Sequence, residues 1–212
     1  MFPRGKAIRW SSSLLFLALV IWSAGPAKAQ QSARVMQRNL AEMVDEAATI
    51  VRGRVLSARV ELHPQLHGLQ TLVLTLRVAE VLKGEASREF TFRQWLPGLR
   101  DQSGRLQYKT GQEVLLLLIR PSEYGLSSPA GLEQGRFFVT RDDSGELRVM
   151  NTARNFGLFR NILKSAPGLP QRLSPAAQQL LTGHRGGPIP YEQFRELVRG
   201  IQAERAQTGA GR

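Results

Sequence analysis

The histidines and acidic residues are the first candidates for chemistry, because the chain contains three histidines and no cysteine. His63 and His67 are four residues apart, a spacing that two metal ligands can use, but Pro64 and Gly68 place them in a turn. Neither a cysteine nor clustered carboxylates offer a third ligand. We therefore expect a polar hairpin tip at 63–68 and no metal site.

The segment Asp142-Asp143-Ser144-Gly145 begins like a calcium loop, with two acidic residues. It lacks the alternating oxygen ligands and the terminal glutamate that complete such a loop. Aspartate and glycine in this order are typical of a turn between two strands. We expect a hairpin turn there.

Hydrolytic chemistry has little support in the sequence. A serine hydrolase needs a serine, a base and an orienting acid, but no nucleophile-elbow motif is present and His184 lies in a segment rich in glycine and proline. No glycine-rich phosphate loop is present either. We predict no catalytic residue and no cofactor. A hydrolase with dispersed carboxylates stays as an alternative, because acids can meet in space rather than in sequence.

The candidate binding residues are Arg93 and Trp95. In a strand predicted at about 88–96, Phe90 and Phe92 fall on one face, while Arg93 and Trp95 fall on the other. If the phenylalanines belong to the core, the arginine and the tryptophan are free to contact a ligand. Aromatic side chains of OB folds contact single-stranded nucleic acids in this way. The alternative is that Trp95 is partly buried beneath a helix or a loop.

Alternating apolar and polar residues predict a mainly β domain. The predicted strands lie at about 49–62, 69–82, 88–96, 113–120, 136–141 and 146–151. The alternation slips by one residue after Val55 and again after Val78, which is typical of β-bulges. The strand at 113–120 is apolar on both faces, so we expect a cover on each side. With a short amphipathic helix at 39–47, this pattern favours a five- to six-stranded OB-like barrel, or else a small β-sandwich.

Proline and glycine become frequent from Ser165 onwards. Helices are predicted at about 175–182 and 191–205, and the second one has an apolar face formed by Phe194, Leu197, Val198 and Ile201. We therefore divide the chain into three parts. They are a signal peptide (1–29), a β-barrel domain (30–164) and a basic, Pro/Gly-rich extension that ends in an amphipathic helix (165–212).

The first 29 residues have the three parts of a secretory signal peptide. Arg4, Lys6 and Arg9 precede an apolar run at 14–24, and Ala27-Lys28-Ala29 has small residues at both positions required before a cut. The run is about half of the roughly 20 apolar residues that cross a bilayer. We expect cleavage after Ala29, no membrane span afterwards, and a periplasmic or secreted protein.

Charge is unevenly distributed along the chain. The whole sequence has 29 basic and 17 acidic residues, a net charge of +12. Residues 152–212 have nine basic residues against three acidic ones. We expect this basic part to make at most weak electrostatic contacts with anionic polymers of the cell envelope.

Several segments resemble a group of exported bacterial proteins of unknown function. They are ATIVRGRV (48–55), VAEVLKG (78–84), GQEVLLLL (111–118), QGRFFV (134–139) and, in the closing helix, PYEQF (190–194). The resemblance implies a small barrel similar to the OB-like fold of netrin-like modules and of tissue inhibitors of metalloproteinases. Those inhibitors bind the protease zinc through an N-terminal cysteine, which this chain lacks. The resemblance therefore implies a fold and no catalytic residues.

These observations together favour a non-enzymatic binding or interaction module of the cell envelope. An alternative is a protease inhibitor that acts through loops at 97–111 or 121–135, and another is the hydrolase with dispersed carboxylates. The expected partner is an envelope protein or a protease. Nucleic acid is not an expected partner, because an exported protein does not meet it.

Overall fold

The computed structural model describes residues 36–96 and 106–210. The predicted signal peptide at 1–29 and most of the predicted loop at 97–111 lie outside the described residues. The helices and strands are α1 (Leu40–Glu46), β1 (Ala47–Leu62), β2 (Gln70–Lys83), β3 (Glu89–Trp95), β4 (Glu113–Ile119), β5 (Arg136–Arg141), β6 (Leu147–Asn151), α2 (Ile162–Ser165), α3 (Pro175–Gly183), β7 (Ile189–Pro190) and α4 (Tyr191–Ala210).

The strands form one antiparallel sheet in the order β3-β2-β1-β4-β5-β6-β7. The prediction of a mainly β fold is confirmed. Within the described residues the strand order does not close on itself, since β3 and β7 are its two ends. Neither the OB-like barrel nor the β-sandwich is confirmed. The additional strand, β7, is only two residues long and therefore shows no alternation that could have predicted it.

The hairpin of β1 and β2 bends where the sequence pattern slips. The pairing register shifts between Val55 and Ser57 of β1, and again opposite Ala79 of β2, so both predicted bulges are confirmed. Gly53 lies at the second bulge, where a Cβ would come 2.6 Å from the carbonyl oxygen of Arg77. The two backbones can approach this closely only because Gly53 has no side chain.

Helix α1 begins at a capping box. The Asn39 side chain accepts a hydrogen bond from the backbone N–H of Glu42, whose carboxylate accepts one from the backbone N–H of Asn39. At the other end, Lys83 Nζ donates to the carbonyl oxygen of Val44 over 2.6 Å. These contacts satisfy backbone groups that a short helix leaves unpaired. They fix α1 against the sheet, with four residues buried, Leu40, Ala41, Met43 and Val44.

Strand β4 lies between two hydrophobic cores. Leu115 and Leu117 belong to a core shared with the helices, and Leu116 belongs to a second core enclosed by β1, β2, β3 and β4. A strand that is buried on both faces has a continuous run of apolar residues in its sequence. The expectation that 113–120 is covered on both sides is therefore confirmed.

The segment 126–130 joins the β3 edge to β4. Leu126 forms a parallel bridge with Arg93, and Pro129 forms an antiparallel bridge with Leu118. The backbone N–H of Ala130 also donates to the carbonyl oxygen of Leu117 over 2.7 Å. The segment therefore covers part of the β3 edge and connects it to β4.

Helix α4 completes the first core. The four residues of its predicted apolar face are completely buried against the sheet and the other helices, and the ring centre of Phe194 lies 4.9 Å from that of Phe137. The described residues form one compact unit, and its first core includes residues before and after position 165. Although α4 has 20 residues, no helix within 36–96 and 106–210 combines the length and the apolar character needed to cross a membrane.

A buried pair of asparagines organises the turn after β6. Asn151 and Asn155 each donate a backbone N–H to the side-chain oxygen of the other. Asn155 is completely buried, adopts a φ of 58° and donates its side-chain amide to the carbonyl oxygens of Val149 and Gly187. Asparagine tolerates the left-handed region better than most residues. This residue therefore connects β6 to the segment that precedes β7.

Candidate functional site

Strand β3 presents the predicted binding residues on its outward face. Phe92 and Gln94 point into the second core and are buried, whereas 56% of the surface of Trp95 is exposed. An exposed tryptophan is a candidate contact residue, because tryptophan is enriched among the residues that dominate binding surfaces.

The guanidinium of Arg93 is held in place by neighbours on β1 and β2. Arg93 Nη1 donates to Thr71 Oγ1 over 2.6 Å, and Nη2 lies 3.2 Å from Glu61 Oε2. Thr71 in turn donates its hydroxyl to the backbone carbonyl of Glu61. Thr71 pairs with both Glu61 and Trp95 in the sheet, so these residues lie in one row across three strands. We call Arg93, Trp95, Glu61 and Thr71 the Trp95 site.

The second predicted loop reaches the Trp95 site. The backbone N–H of Ser127 donates to the carbonyl oxygen of Arg93 over 2.8 Å. Nearby, the carbonyl oxygen of Tyr124 is 2.8 Å from His63 Nε2, and 44% of the Tyr124 surface is exposed. The loop is therefore fixed at two points beside β3 and adds an exposed aromatic residue to this end of the sheet.

His63 shapes the hairpin tip through hydrogen bonds of both ring nitrogens. Its Nδ1 accepts the backbone N–H groups of Gln65 and Leu66, so the proton lies on Nε2, which donates to Tyr124. Both ring nitrogens are thereby occupied. No group of three or more potential metal ligands occurs within the described parts of the chain.

Asp142 closes the predicted hairpin turn between β5 and β6. Its Oδ1 accepts hydrogen bonds from the backbone N–H groups of Ser144 and Glu146, and its Oδ2 lies 2.7 Å from Arg148. Hydrogen bonding to Ser144 and to Arg148 lowers the pKa of Asp142 to about 2. All of its acceptor positions serve the turn, as expected for a structural aspartate.

A completely buried arginine lies beneath the Trp95 site. Arg136 forms an ion pair of 2.8 Å with Glu133, and its guanidinium lies 4.7 Å from the ring centre of Tyr108. Gln94, on the inner face of β3, donates to the same glutamate. Burial and the charge of Glu133 raise the pKa of Tyr108 far above its usual range, so the phenol stays protonated. This network stabilises the floor of the site and offers no general base.

A second charged network attaches α4 to the sheet. Glu80 accepts a hydrogen bond of 2.6 Å from the hydroxyl of Tyr191 and lies within 4 Å of three arginines, Arg52, Arg195 and Arg199. Burial, together with the hydrogen bond to Glu80, raises the pKa of Tyr191 far above its usual range. The carboxylate of Glu80 is thus occupied by one hydrogen bond and three ion pairs. The network is therefore suited to anchoring the helix rather than to transferring protons.

The sequence pointed to Arg93 and Trp95 and missed their supporting residues. Glu61 and Thr71 can be assigned to the site only when the register of β1, β2 and β3 is known, since they are remote in the sequence. Arg136 was also missed, because an arginine at the start of a strand ordinarily faces solvent. The aromatic residues Tyr108 and Phe138, which lie within 5.5 Å of the guanidinium, were the available signal.

Comparison of the chain with protein families, with curated proteins and with solved structures finds no match. The resemblance to exported proteins and to netrin-like modules therefore stays a prediction. The site has to be interpreted from its own geometry.

Proposed function

We propose that the chain is a non-enzymatic binding module of the cell envelope and that its contact surface is the Trp95 site. The observation that carries this proposal is an exposed tryptophan beside an arginine whose guanidinium is already held by Thr71 and Glu61. Such a pair can contact a partner without first losing side-chain freedom. Tryptophan and arginine are also the residues that most often dominate binding surfaces.

The buried networks favour binding over catalysis. The described tyrosines with displaced pKa values stay protonated, and Glu80, Glu113 and Glu133 are all held by arginines. A general base needs a pKa near the working pH and access to substrate. The two tyrosines stay protonated and the three carboxylates are engaged in ion pairs, so the hydrolase with dispersed carboxylates has less support.

We further infer that the first four strands form a partly open, OB-like barrel. Support comes from the segment 126–130, which bridges the edge of β3 to β4 around the second core. A barrel of this kind exposes strand faces and loops on which ligands can bind.

The test compares the capture of envelope components by the parent protein, by Trp95→Ala and by Phe156→Ala. Phe156 is the matched control, because 57% of its surface is exposed but it lies in the turn after β6. We expect Trp95→Ala to bind the captured partner about tenfold more weakly or worse, because truncating a residue that dominates an interface has an effect of this size. Equal capture by all three proteins would refute the Trp95 site.

A protease inhibitor is the second candidate function. The loop at 121–130 is fixed at both sides and presents Tyr124 to solvent, and inhibitory loops are rigid and exposed in the same way. Inhibition of a purified metalloprotease or serine protease that weakens in Tyr124→Ala would favour this candidate. Absence of inhibition at micromolar concentrations, with envelope capture intact, would favour the binding module.

A further inference from the structure

Two arginines lie directly opposite each other on the outward face of the sheet. Arg54 of β1 pairs in register with Arg77 of β2, and both side chains are exposed. Like charges placed opposite each other in an antiparallel pair are destabilising. Within the described residues, neither guanidinium makes a hydrogen bond or an ion pair. No contact within the described residues therefore offsets the repulsion between the two arginines.

The neighbouring acids do not neutralise this arginine pair. Glu113 lies opposite Arg54 on β4, but its carboxylate is bound to Arg52. Glu89 lies opposite Arg77 on β3, and no cation of the described residues lies within ion-pair distance of it. One free acid next to two arginines leaves this part of the face positively charged.

The same face continues along the strands to the Trp95 site. Between the two ends it presents hydroxyl groups, including those of Thr75 and Thr91, whose oxygens are 3.0 Å apart. The row containing Arg77 and Glu89 is six residues from the row containing Thr71 and Trp95. At about 3.4 Å per residue, the face is roughly 20 Å long.

We propose that this outward face binds an acidic polysaccharide chain, with the arginine pair holding an anionic group and Trp95 stacking on a sugar ring. The inference rests on the proposed binding function and specifies its partner. Guanidinium groups recognise carboxylates and sulfates through paired hydrogen bonds. The indole ring combines an apolar face with a polar edge, which suits a sugar ring. The hydroxyl groups between them supply further donors and acceptors.

The geometry favours a polysaccharide over the other polyanions. A single-stranded nucleic acid stacks successive bases on several aromatic rings, and Trp95 is the one exposed aromatic among the outward residues of the described β1, β2 and β3. An acidic peptide adding to the sheet edge would need the backbone of β3, but Ser127 already binds the carbonyl oxygen of Arg93. The hydroxyl-bearing face is suited to a polymer that carries both anionic groups and sugar rings.

The test measures how tightly the purified protein, in the form that remains after processing by the expressing cells, binds polygalacturonate and dextran sulfate. Neutral dextran is the uncharged reference. The variant is Arg54→Gln/Arg77→Gln. Its control is Arg120→Gln/Lys164→Gln, which removes the same charge from exposed positions outside β1, β2 and β3. At about 0.15 M salt, where distant charges are screened, we expect the dissociation constant of the variant to rise by about tenfold as two charge-assisted contacts are lost. The control should stay within about twofold, since screening leaves little effect of remote charge.

Three outcomes would overturn the inference. Equal losses in the variant and in the control would show attraction by net charge only. Tighter binding of polyglutamate or of single-stranded DNA than of either acidic polysaccharide would identify another class of partner. Full binding by Trp95→Ala would remove the sugar-stacking role. The proposed binding function is tested separately, by the capture of envelope components. If Trp95→Ala weakens that capture, the binding function stands even when the polysaccharide inference fails. If Trp95→Ala captures as well as the parent protein, the proposed function itself is refuted.

Discussion

At the scale of single residues, the Trp95 site shows which information a sequence contains. The alternation of Phe90, Phe92, Arg93 and Trp95 was sufficient to separate the inner face of β3 from its outer face, because side-chain direction alternates with a period of two. The partners of Arg93 were not predictable in this way. Glu61 and Thr71 belong to other strands, and three register shifts between β1 and β2 change which residues face each other.

Asp142 gives a prediction about pH. Its pKa in the folded protein is lowered to about 2 by Ser144 and Arg148, so the ionised form stabilises the fold. That contribution is complete above the ordinary aspartate pKa of about 4 and is lost as the pH falls towards 2. We expect Asp142→Asn to be less stable than the parent at pH 6 and equally stable near pH 2, in chemical denaturation at both pH values. Asp143→Asn, at an exposed neighbouring position, should show no such difference, and a gap that persists at low pH would contradict the assignment.

At the scale of the elements, the bulge between β1 and β2 depends on Gly53. Its backbone φ is not in the left-handed region, so alanine is excluded only by the closeness of Arg77, whose carbonyl oxygen would be 2.6 Å from the new Cβ. We expect Gly53→Ala to lower the free energy of unfolding by about 1–3 kcal/mol, the usual cost of overpacking. Gly183→Ala is the control, since no atom lies within 4 Å of the position that its new Cβ would take. Thermal unfolding of both variants distinguishes steric conflict from a general effect of replacing glycine.

The long elements were predictable and the short ones were not. Most of the predicted strands and the helices at 40–46 and 191–210 have several apolar residues that repeat with a period, β4 has a continuous apolar run, and the helix at 175–183 has a Ser-Pro start and a Gly end. Strand β7 and helix α2 are too short for a period to appear. Helix α4 also extends beyond the predicted end at 205, where Arg205 pairs with Asp45 of α1 and supports the final turns.

At the scale of the whole molecule, the structure predicts that the C-terminal helix is part of the cooperative unit. Phe194 is completely buried and packs on Phe137. We expect Phe194→Ala to lower the free energy of unfolding by about 3–5 kcal/mol, whereas Phe156→Ala, at an exposed aromatic residue, should change it by less than about 0.5 kcal/mol. Denaturant unfolding followed by fluorescence and by circular dichroism checks both values. Separate transitions for the sheet and for α4 would contradict a single unit.

The pairing of α1 with α4 also determines when this protein can fold. Asp45 and Arg205 are 160 positions apart in the chain, and the core between them needs residues of both helices. Contacts between such distant residues make folding slow, because a long loop must close before any of them is gained. A growing polypeptide therefore cannot complete its first core until α4 has been synthesised. Until then the apolar residues of that core lack their partners on α4 and stay accessible to chaperones.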